Sequence, residues 1–441
     1  MERYEKYKDS GIEWIGEIPE HWKLKRIKQL VTEVESIFID GDWIESKDIV
    51  FDTDYIRYIT TGNIGEGKYK EQGSGYITEE TFLKLNCTEV FPGDLLISRL
   101  NPPIGRACIV PELGKRIVTS VDNVILRPDK RFLKRFLVHF FSNHRYFEYT
   151  LLEGRGATMQ RISRSILGNI KIVIPPLPEQ TAIAAYLDRK TSEIDALIAK
   201  KKRLLELYEE EKTAIINHAV TKGINPNAPM KDSGIDWLGE VPESWIGTKL
   251  KFVSEKIGDG IHTTPKYVKN SEYKFVNGNN LDNGSIKYYD STRSVSKEEY
   301  EELKKDIKEG TVLISINGTV GKLAFFANEK VILGKSAAYI EPKADLFNKF
   351  LFYIFQTHYV KTQFDLSYSG STINNLSLYT LHNLDIVLPN KVEQEDIVLH
   401  LEADLKEYDN NIIRVKKLID LLNEYRTTLI NEVVTGRNKV T

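Results

Sequence analysis

Two short stretches carry side chains suited to reading nucleic acid. GRGATMQRIS begins at Gly154 and SGSTINNLS at Ser369. Between Glu153 and Glu179 there is no carboxylate, while Arg155, Arg161, Arg164 and Lys171 all fall there. The second stretch has no Asp, Glu, Lys or Arg between Asp365 and Asp385, but offers Ser369, Ser371, Thr372, Asn374 and Asn375. Arg, Gln, Asn, Ser and Thr are the side chains that hydrogen-bond base edges and phosphates, and the glycines let a backbone come close. Arg155, Thr158, Gln160 and Arg161 are therefore expected to contact DNA in one half of the chain, and Ser371, Thr372, Asn374 and Asn375 in the other. The plainer alternative is a solvated turn capping the next strand. Paired occurrence with different polar content favours two readers of different short words.

Other polar tips recur at comparable places. Thr60, Thr61 and Asn63 stand against Asn277, Asn279 and Asn280, and Asp42, Trp43 and Ser46 against His262, Thr263, Thr264 and Lys266. Each alone reads as a turn residue. As members of a pair, Thr61, Asn63, Asn279, Thr263 and Lys266 join the expected contacts.

Enzyme-like strings do not assemble into a catalytic set. Asn101-Pro102-Pro103 has Ile104 where an amino-methyltransferase signature carries an aromatic residue, and no Gly-rich cofactor turn precedes it. Asp54 with Glu66-Gly67-Lys68 loosely mimics a nuclease metal site, but the second half has no Glu-x-Lys beside Asp282. Phosphate-loop, GxGxxG and HExxH strings and zinc spacings are absent. The reading is no catalytic residue, no metal ligand and no cofactor in this chain.

These tips must be held by something, and a duplication supplies it. KDSGIEWIGEIPEHW (8–22) returns as KDSGIDWLGEVPESW (231–245), with eleven of fifteen positions identical. Its tryptophans, Trp14, Trp22, Trp237 and Trp245, read as aromatic packing. Each half then runs through short β-branched strands: YIRYITTGNI (55–64), GDLLISRL (93–100), RACIV (106–110), VDNVILRP (121–128) and Ile170 to Ile174, answered by KFVNGNNL (274–281) and GTVLISINGTVGKLAFF (310–326). One amphipathic helix is expected over 131–152 and another over 347–366. Two long helices complete the pattern. Gly and Pro are absent from Glu179 to Lys222, and Leu187, Ile194, Lys201, Tyr208 and Ile215 fall seven apart, with Ile183, Leu197, Leu204 and Leu205 filling the stripe. At 1.5 Å per residue such a helix reaches about 65 Å. Leu401, Tyr408, Val415, Leu422 and Leu429 repeat the sevens, and moving Glu179-Gln180 onto Glu393-Gln394 also brings Asn217 onto Asn431. Lys200 to Arg203, followed by Glu206 and Glu209 to Glu211, reads as a solvated helix face.

Composition narrows the class. The chain has 441 residues, 41% hydrophobic and 28% charged, with a net charge of −2, so any DNA surface must come from local segregation of charge. Two cysteines exclude a disulfide framework. The start MERYEKYKDSG lacks the apolar core of a signal peptide, and no stretch approaches a membrane span, so a cytoplasmic protein is expected.

Taken together, the two tryptophan-bearing openings, IPPLPEQTAIAAYLD with its helix, LISRLNPPIG, LISINGTVGK and GDGIHTTPKY (258–267) resemble the specificity subunits of type I restriction-modification systems; GDWIESKDI (41–49) is similar to the opening of another recognition-domain type in that family. The resemblance spans essentially the whole chain. It implies an α/β architecture of two duplicated target-recognition domains (1–177 and 223–390) and two long antiparallel coiled-coil helices (178–222, and 391–441 with the tail), related by internal pseudo-two-fold symmetry. Each domain would read one half of a bipartite site in double-stranded DNA. The helices would set the spacing and recruit two modification subunits, which carry S-adenosylmethionine and methylate adenine, with a motor-nuclease subunit joining for cleavage. The second helix departs from that pattern at its entry, with LPNKVEQEDI in place of PPLPEQTAI, so the resemblance fixes its docking less closely. Two other readings compete: a self-contained DNA-modifying enzyme, for which no segment is left to form a cofactor fold, and a scaffold displaying two heads that bind something other than DNA.

Overall fold

A computed structural model describes residues 2–52, 55–73, 75–156, 159–368 and 374–440. The chain divides into two compact units: residues up to Lys202 with those from Lys417 onward, and Arg203–Lys416. Each unit is one α/β head, the first half of one long helix and the second half of the other.

In the first unit, strands Ile37–Asp40, Asn123–Arg127, Leu95–Ser98 and Ala107–Ile109 form an antiparallel sheet in that order. Leu95, Leu96, Ile97, Val124, Ile125 and Leu126 are all buried. Uninterrupted apolar runs of this kind mark strands covered on both faces. A second sheet orders Tyr76–Ile77, Ile56–Ile59 and Ile117–Thr119, the last two parallel. Strand Lys171–Ile174 pairs with Lys23–Arg26. The second unit repeats the plan. Ser254–Asp259, Ala337–Pro342, Val312–Ser315 and Leu323–Phe325 form its antiparallel sheet, Lys274–Val276 runs parallel to Val331–Leu333, and Ile246–Lys249 pairs with Asp385–Leu388. Every stretch read from the sequence as a strand contains at least one of these shorter strands.

Each single helix expected after the strands is two. Lys134–Phe140 stops, and His144–Glu153 restarts after Asn143, whose side-chain oxygen accepts the Arg145 N–H at 2.9 Å. The second copy breaks in the same way: Asn348–Ile354 and His358–Ser367 are separate, and the Thr357 hydroxyl donates back to the Ile354 carbonyl at 2.6 Å. Polar side chains inside apolar runs, Asn143 capping the helix that follows and Thr357 bonding back to the helix before it, ended the helix that periodicity alone would continue.

The long helices run Leu177–Lys222 and Lys391–Val434. In the first unit Ile183, Leu187, Ile194 and Ile198 share one core with Leu429, Ile430, Val433 and Val434, and Arg426 Nε lies 2.9 Å from Asp195. In the second, Ile216, Ala219 and Val220 share a core with Ile397, Val398, Leu401 and Leu405, and Tyr208 meets Tyr408 edge-on at 6.0 Å. Within each unit the start of one helix packs on the end of the other, the antiparallel arrangement expected. One seam position is corrected: Leu197 is exposed and Ile198 takes its place. A straight helix advances 3.6 residues per turn, so a strict sevenfold reading drifts off the buried face. The basic run is solvated, with Arg203 paired to Glu206 and Glu210 at 2.8 and 3.2 Å.

Head and helix are fastened by the same bonds in both units. Trp22, fully buried, donates its indole N–H to Glu179 at 3.0 Å, and Trp245 donates to Glu393 at 2.9 Å. Gln180 accepts from the Leu133 N–H at 2.7 Å and donates to the Pro175 and Arg131 carbonyls at 2.9 and 3.3 Å. Gln394 accepts from Phe347 at 2.8 Å and donates to Pro389 and Asp345, both at 3.0 Å. The divergent LPNKVEQEDI therefore docks as its counterpart does. Trp14 stacks on Tyr149 with ring centroids 5.8 Å apart, whereas Trp237 stays part-exposed. Among the described residues, no helix is long and apolar enough to cross a membrane.

Candidate nucleic-acid interface

In the first head, one cluster of turns gathers the polar tips. Arg155 and Arg161 exchange backbone hydrogen bonds of 2.9 Å in both directions, and the residues 159–162 carry the tip. It is hung on the loop after strand Leu95–Ser98: the Asn101 N–H donates to the Gln160 carbonyl at 2.9 Å, and the Ile162 N–H to the Arg99 carbonyl at 3.0 Å. The second head uses the same two bonds. There the Gly318 N–H donates to Asn374 at 3.1 Å and the Leu376 N–H to Ile316 at 2.8 Å. Gln160 and Arg161 thus correspond to Asn374 and Asn375 on an identical backbone frame. Thr158, Ser371 and Thr372 lie outside the described residues.

What surrounds the frame differs between heads. Arg99, 4% exposed, donates to the Ile162 and Val121 carbonyls at 3.1 and 2.5 Å and lies 3.0 Å from Asp40. Arg161 reaches Asp122 at 2.9 Å, and Arg164 sits 3.6 Å from Asp40. Burial pulls the Arg99 guanidinium below its ordinary range, Asp40 and Asp122 oppose that shift, and Arg161 and Arg164 reinforce it. Three guanidiniums thus share two carboxylates, and Arg155 stands exposed at the rim. The second head has Ile316 in the place of Arg99 and Asn375 in the place of Arg161, so it presents amides: Asn317 donates to Asn375 at 3.4 Å. A net cationic tip can hold phosphates or take guanine bidentately, whereas Asn amides match adenine.

A second turn abuts the first. Arg106 is buried and donates to the carbonyls of Ile64, Thr61, Leu100, Asn101 and Pro103 at 2.8, 2.9, 3.2, 2.7 and 3.1 Å, tying the 60–64 turn to the 100–103 loop. Thr61 is half-buried beside it. Asn63 is a correction. It is 1% exposed, and its side chain accepts from the Thr60 N–H at 3.0 Å while donating to Lys70 and Gln72 at 3.0 and 2.6 Å. It has no donor left for DNA and serves to shape the turn. Its counterpart is Asn280, which accepts from the Asn277 N–H at 3.0 Å and donates to Lys287 at 2.8 Å. Asn279 therefore matches Gly62 and is exposed. Thr263 and Lys266 are exposed on the segment after strand Ser254–Asp259, the Lys266 N–H donating to Glu299 at 3.0 Å.

Sequence reading missed Asp40, Arg99, Arg106 and Asp122. Their signal was weak, since charges near strand ends are ordinary; only Arg99 and Asp122 were set apart, by Ile316 and Ser336 in the second copy. Among the described residues, no cluster of three or more His, Cys, Asp or Glu could hold a metal.

Comparison with known proteins bears on the family and on the fold. The model of the type I restriction modification DNA specificity domain matches residues 19–207 and 242–423. The chain is 24% identical to the putative type I restriction enzyme MjaX specificity subunit of Methanocaldococcus jannaschii, over 97% of this chain and 96% of that protein. It is 25% identical to the MjaVIII specificity subunit of the same organism, over 92% and 96%. Of solved structures, a chain from work on complex assembly and conformational transition of the type I R-M system aligns with a TM-score of 0.65 at 17% identity, covering 95% of this chain and 98% of that one. The HsdS subunit from Thermoanaerobacter tengcongensis aligns at 0.51 and 16%, over 96% and 98%. At such identities the structural likeness bears on the fold.

Proposed function

The chain belongs to the type I restriction-modification DNA specificity family, and on that premise we propose how it reads its site. It is a specificity subunit: it recognises DNA for a type I complex and leaves catalysis to other subunits. Each head reads one half of a bipartite site through the loops that meet at the 155–162 and 374–377 frames. Arg155, Gln160 and Arg161 carry the first word, with Thr61 beside them, and Asn374 and Asn375 the second, with Asn279, Thr263 and Lys266. The long helices hold the spacing. Two modification subunits bind this chain and bring S-adenosylmethionine, the methyl donor for adenine, and a motor-nuclease subunit joins them for cleavage. The complex works on cytoplasmic DNA.

The observation that carries the reading is the repeated frame with diverged tips: the same pair of backbone bonds hangs Gln-Arg in one head and Asn-Asn in the other. Phosphate contacts then supply affinity that falls with salt, and the tips supply discrimination. A methylation map tests it. The chain is co-expressed with its modification subunit in a host lacking such methylation, and modified adenines are sequenced. One bipartite motif with a fixed gap, lost when either head is deleted, is the expected result. A stable complex that methylates no new motif would favour the scaffold of two heads that bind something other than DNA.

A further inference from the structure

We propose that Trp43 in the first head and His262 in the second are equivalent DNA-reading residues, each laying its ring against a base of its own half-site; this rests on the function proposed above. Neither lies on the frames that hang Gln160-Arg161 and Asn374-Asn375; His262 immediately precedes Thr263 on the exposed segment after strand Ser254–Asp259. Both follow the same short pattern, Asp40-Gly41-Asp42-Trp43 and Asp259-Gly260-Ile261-His262, and the structure places the two patterns identically. The Gly41 N–H donates to the Asn123 carbonyl at 2.9 Å and the Gly260 N–H to Ala337 at 3.0 Å. One residue on, Asp42 donates to Thr119 at 2.9 Å and Ile261 to Leu333 at 2.7 Å, and these residues form parallel bridges with Ser120 and Gly334.

The glycines make this crossing possible. A Cβ on Gly41 would stand 2.5 Å from the Ser120 and Thr119 carbonyl oxygens, and one on Gly260 only 2.2 Å from that of Leu333. The chain therefore passes in contact with the turn that supports the recognition frame. The Arg99 N–H donates to the Asp122 carbonyl at 2.8 Å, and the Ile316 N–H to Ser336 at 2.9 Å. Each ring emerges next to that turn. Asp40, three residues before Trp43, is the carboxylate that holds Arg99 and Arg164.

Trp43 is also fixed in its outward direction. Asp42 accepts the Thr88 N–H at 2.9 Å, and Ile44 packs into the core with Ile56 and Val118, so the residues on both sides are anchored. Between them the indole is 67% exposed. His262 is likewise exposed, its Nε2 lying 2.8 Å from Asp259. The Trp43 indole N–H points to the Glu45 carboxylate at 3.4 Å, so it is the flat face of each ring that is offered to a base for stacking. The backbone frame is shared and the ring differs, as with Gln160-Arg161 and Asn374-Asn375.

The test uses the full chain assembled with its modification subunits. Binding is measured by competition between duplexes carrying the mapped site and duplexes with single-base changes in either word. Trp43→Ala is expected to weaken cognate binding roughly 10- to 100-fold and to flatten base preference in the first head's word alone. Trp43→Phe restores most of both, and His262→Ala gives the same pattern confined to the second head's word. A wild-type complex with a bipartite preference that Trp43→Ala leaves intact, with binding within twofold, overturns this inference and spares the proposed function. A wild-type complex with no bipartite preference overturns both. Acrylamide quenching supplies a separate readout: a Trp43 contribution, identified by difference from Trp43→Phe, that is shielded on subunit assembly before DNA is added assigns the ring to a protein neighbour and overturns the inference. Shielding that appears only with DNA supports it.

Discussion

Replacing Gln180 by Ala should unlatch the first head from its helix. Gln180 is 1% exposed and satisfies three backbone groups: the Leu133 N–H and the Pro175 and Arg131 carbonyls. Alanine leaves all three without that partner. Each buried group so orphaned costs about 1 to 3 kcal/mol, and the net worth of an ordinary bond is about 1 kcal/mol. Water can enter near Arg131, which is half on the surface, so the lower end applies and the sum is about 3 kcal/mol. At about 1.4 kcal/mol per tenfold, the open population of the head–helix junction should rise on the order of 100-fold. Hydrogen exchange reads this directly: the Leu133 amide and the first turns of helix Leu177–Lys222 should exchange on the order of 100-fold faster in Gln180→Ala, while amides of the second head keep their rates. Gln394→Ala should produce the mirror image at Phe347. Gln180→Glu should cost as much or more, because a carboxylate has no hydrogen for the two carbonyls and is buried as a charge. If Gln180→Ala changes neither exchange near Leu133 nor the urea midpoint by more than about 0.5 kcal/mol, the amide is not a latch. The repeated Glu-Gln would then owe its place to something else.

Three further outcomes follow from particular contacts. Gln160→Ala with Arg161→Ala should relax the first word of the methylation motif and leave the second unchanged, costing about 1 to 3 kcal/mol of discrimination at the affected base; if Arg161 holds a phosphate instead, the slope of binding against salt falls by about 1 with no change of word. Asn374→Ala with Asn375→Ala should do the converse, which motif sequencing of both variants checks. Asp129 titrates in the acid range with a defined sign. Burial alone would raise its carboxyl, but hydrogen bonds from Thr32, Ser36 and the Glu33 backbone outweigh that and hold it well below the usual carboxylate range. Its folded-state pKa is depressed, so its stabilisation is present above the unfolded value of about 4 and is lost as pH falls below it. Asp129→Asn should therefore lower the urea midpoint of the first unit at pH 7 and differ less from wild type at pH 3.

The parts legible in the sequence are those set by local chemistry or by repetition. Forty-odd residues without Gly or Pro leave little but a helix, and β-branched runs between Gly and Asp leave little but strands. Superposing Glu179-Gln180 on Glu393-Gln394 marked the latch before its bonds were visible, because a duplicated chain keeps what its junction needs. Breaks within the shorter helices were hidden, since Asn143 and Thr357 sit inside apolar runs whose periodicity continues across them. The recognition frame was half legible. Polar loops stood out by composition, yet Arg161 owes its placement to Asp122, and Arg106 reaches turns more than forty residues away in sequence. Such pairings leave no mark on spacing. This explains why kind of function is easier to read than the words themselves. The class depends on a repeated scaffold, which duplication writes twice. Each word depends on a few side chains aimed by long-range bonds, and between the two heads those are the positions free to differ: Arg99 against Ile316, Asp122 against Ser336, Trp43 against His262. Where two copies agree, the residue serves the frame; where they part on an identical backbone, it is a candidate for reading DNA. Asn63 and Asn280 fall on the first side of that line, which is why a paired polar residue at the interface proved to be a turn former.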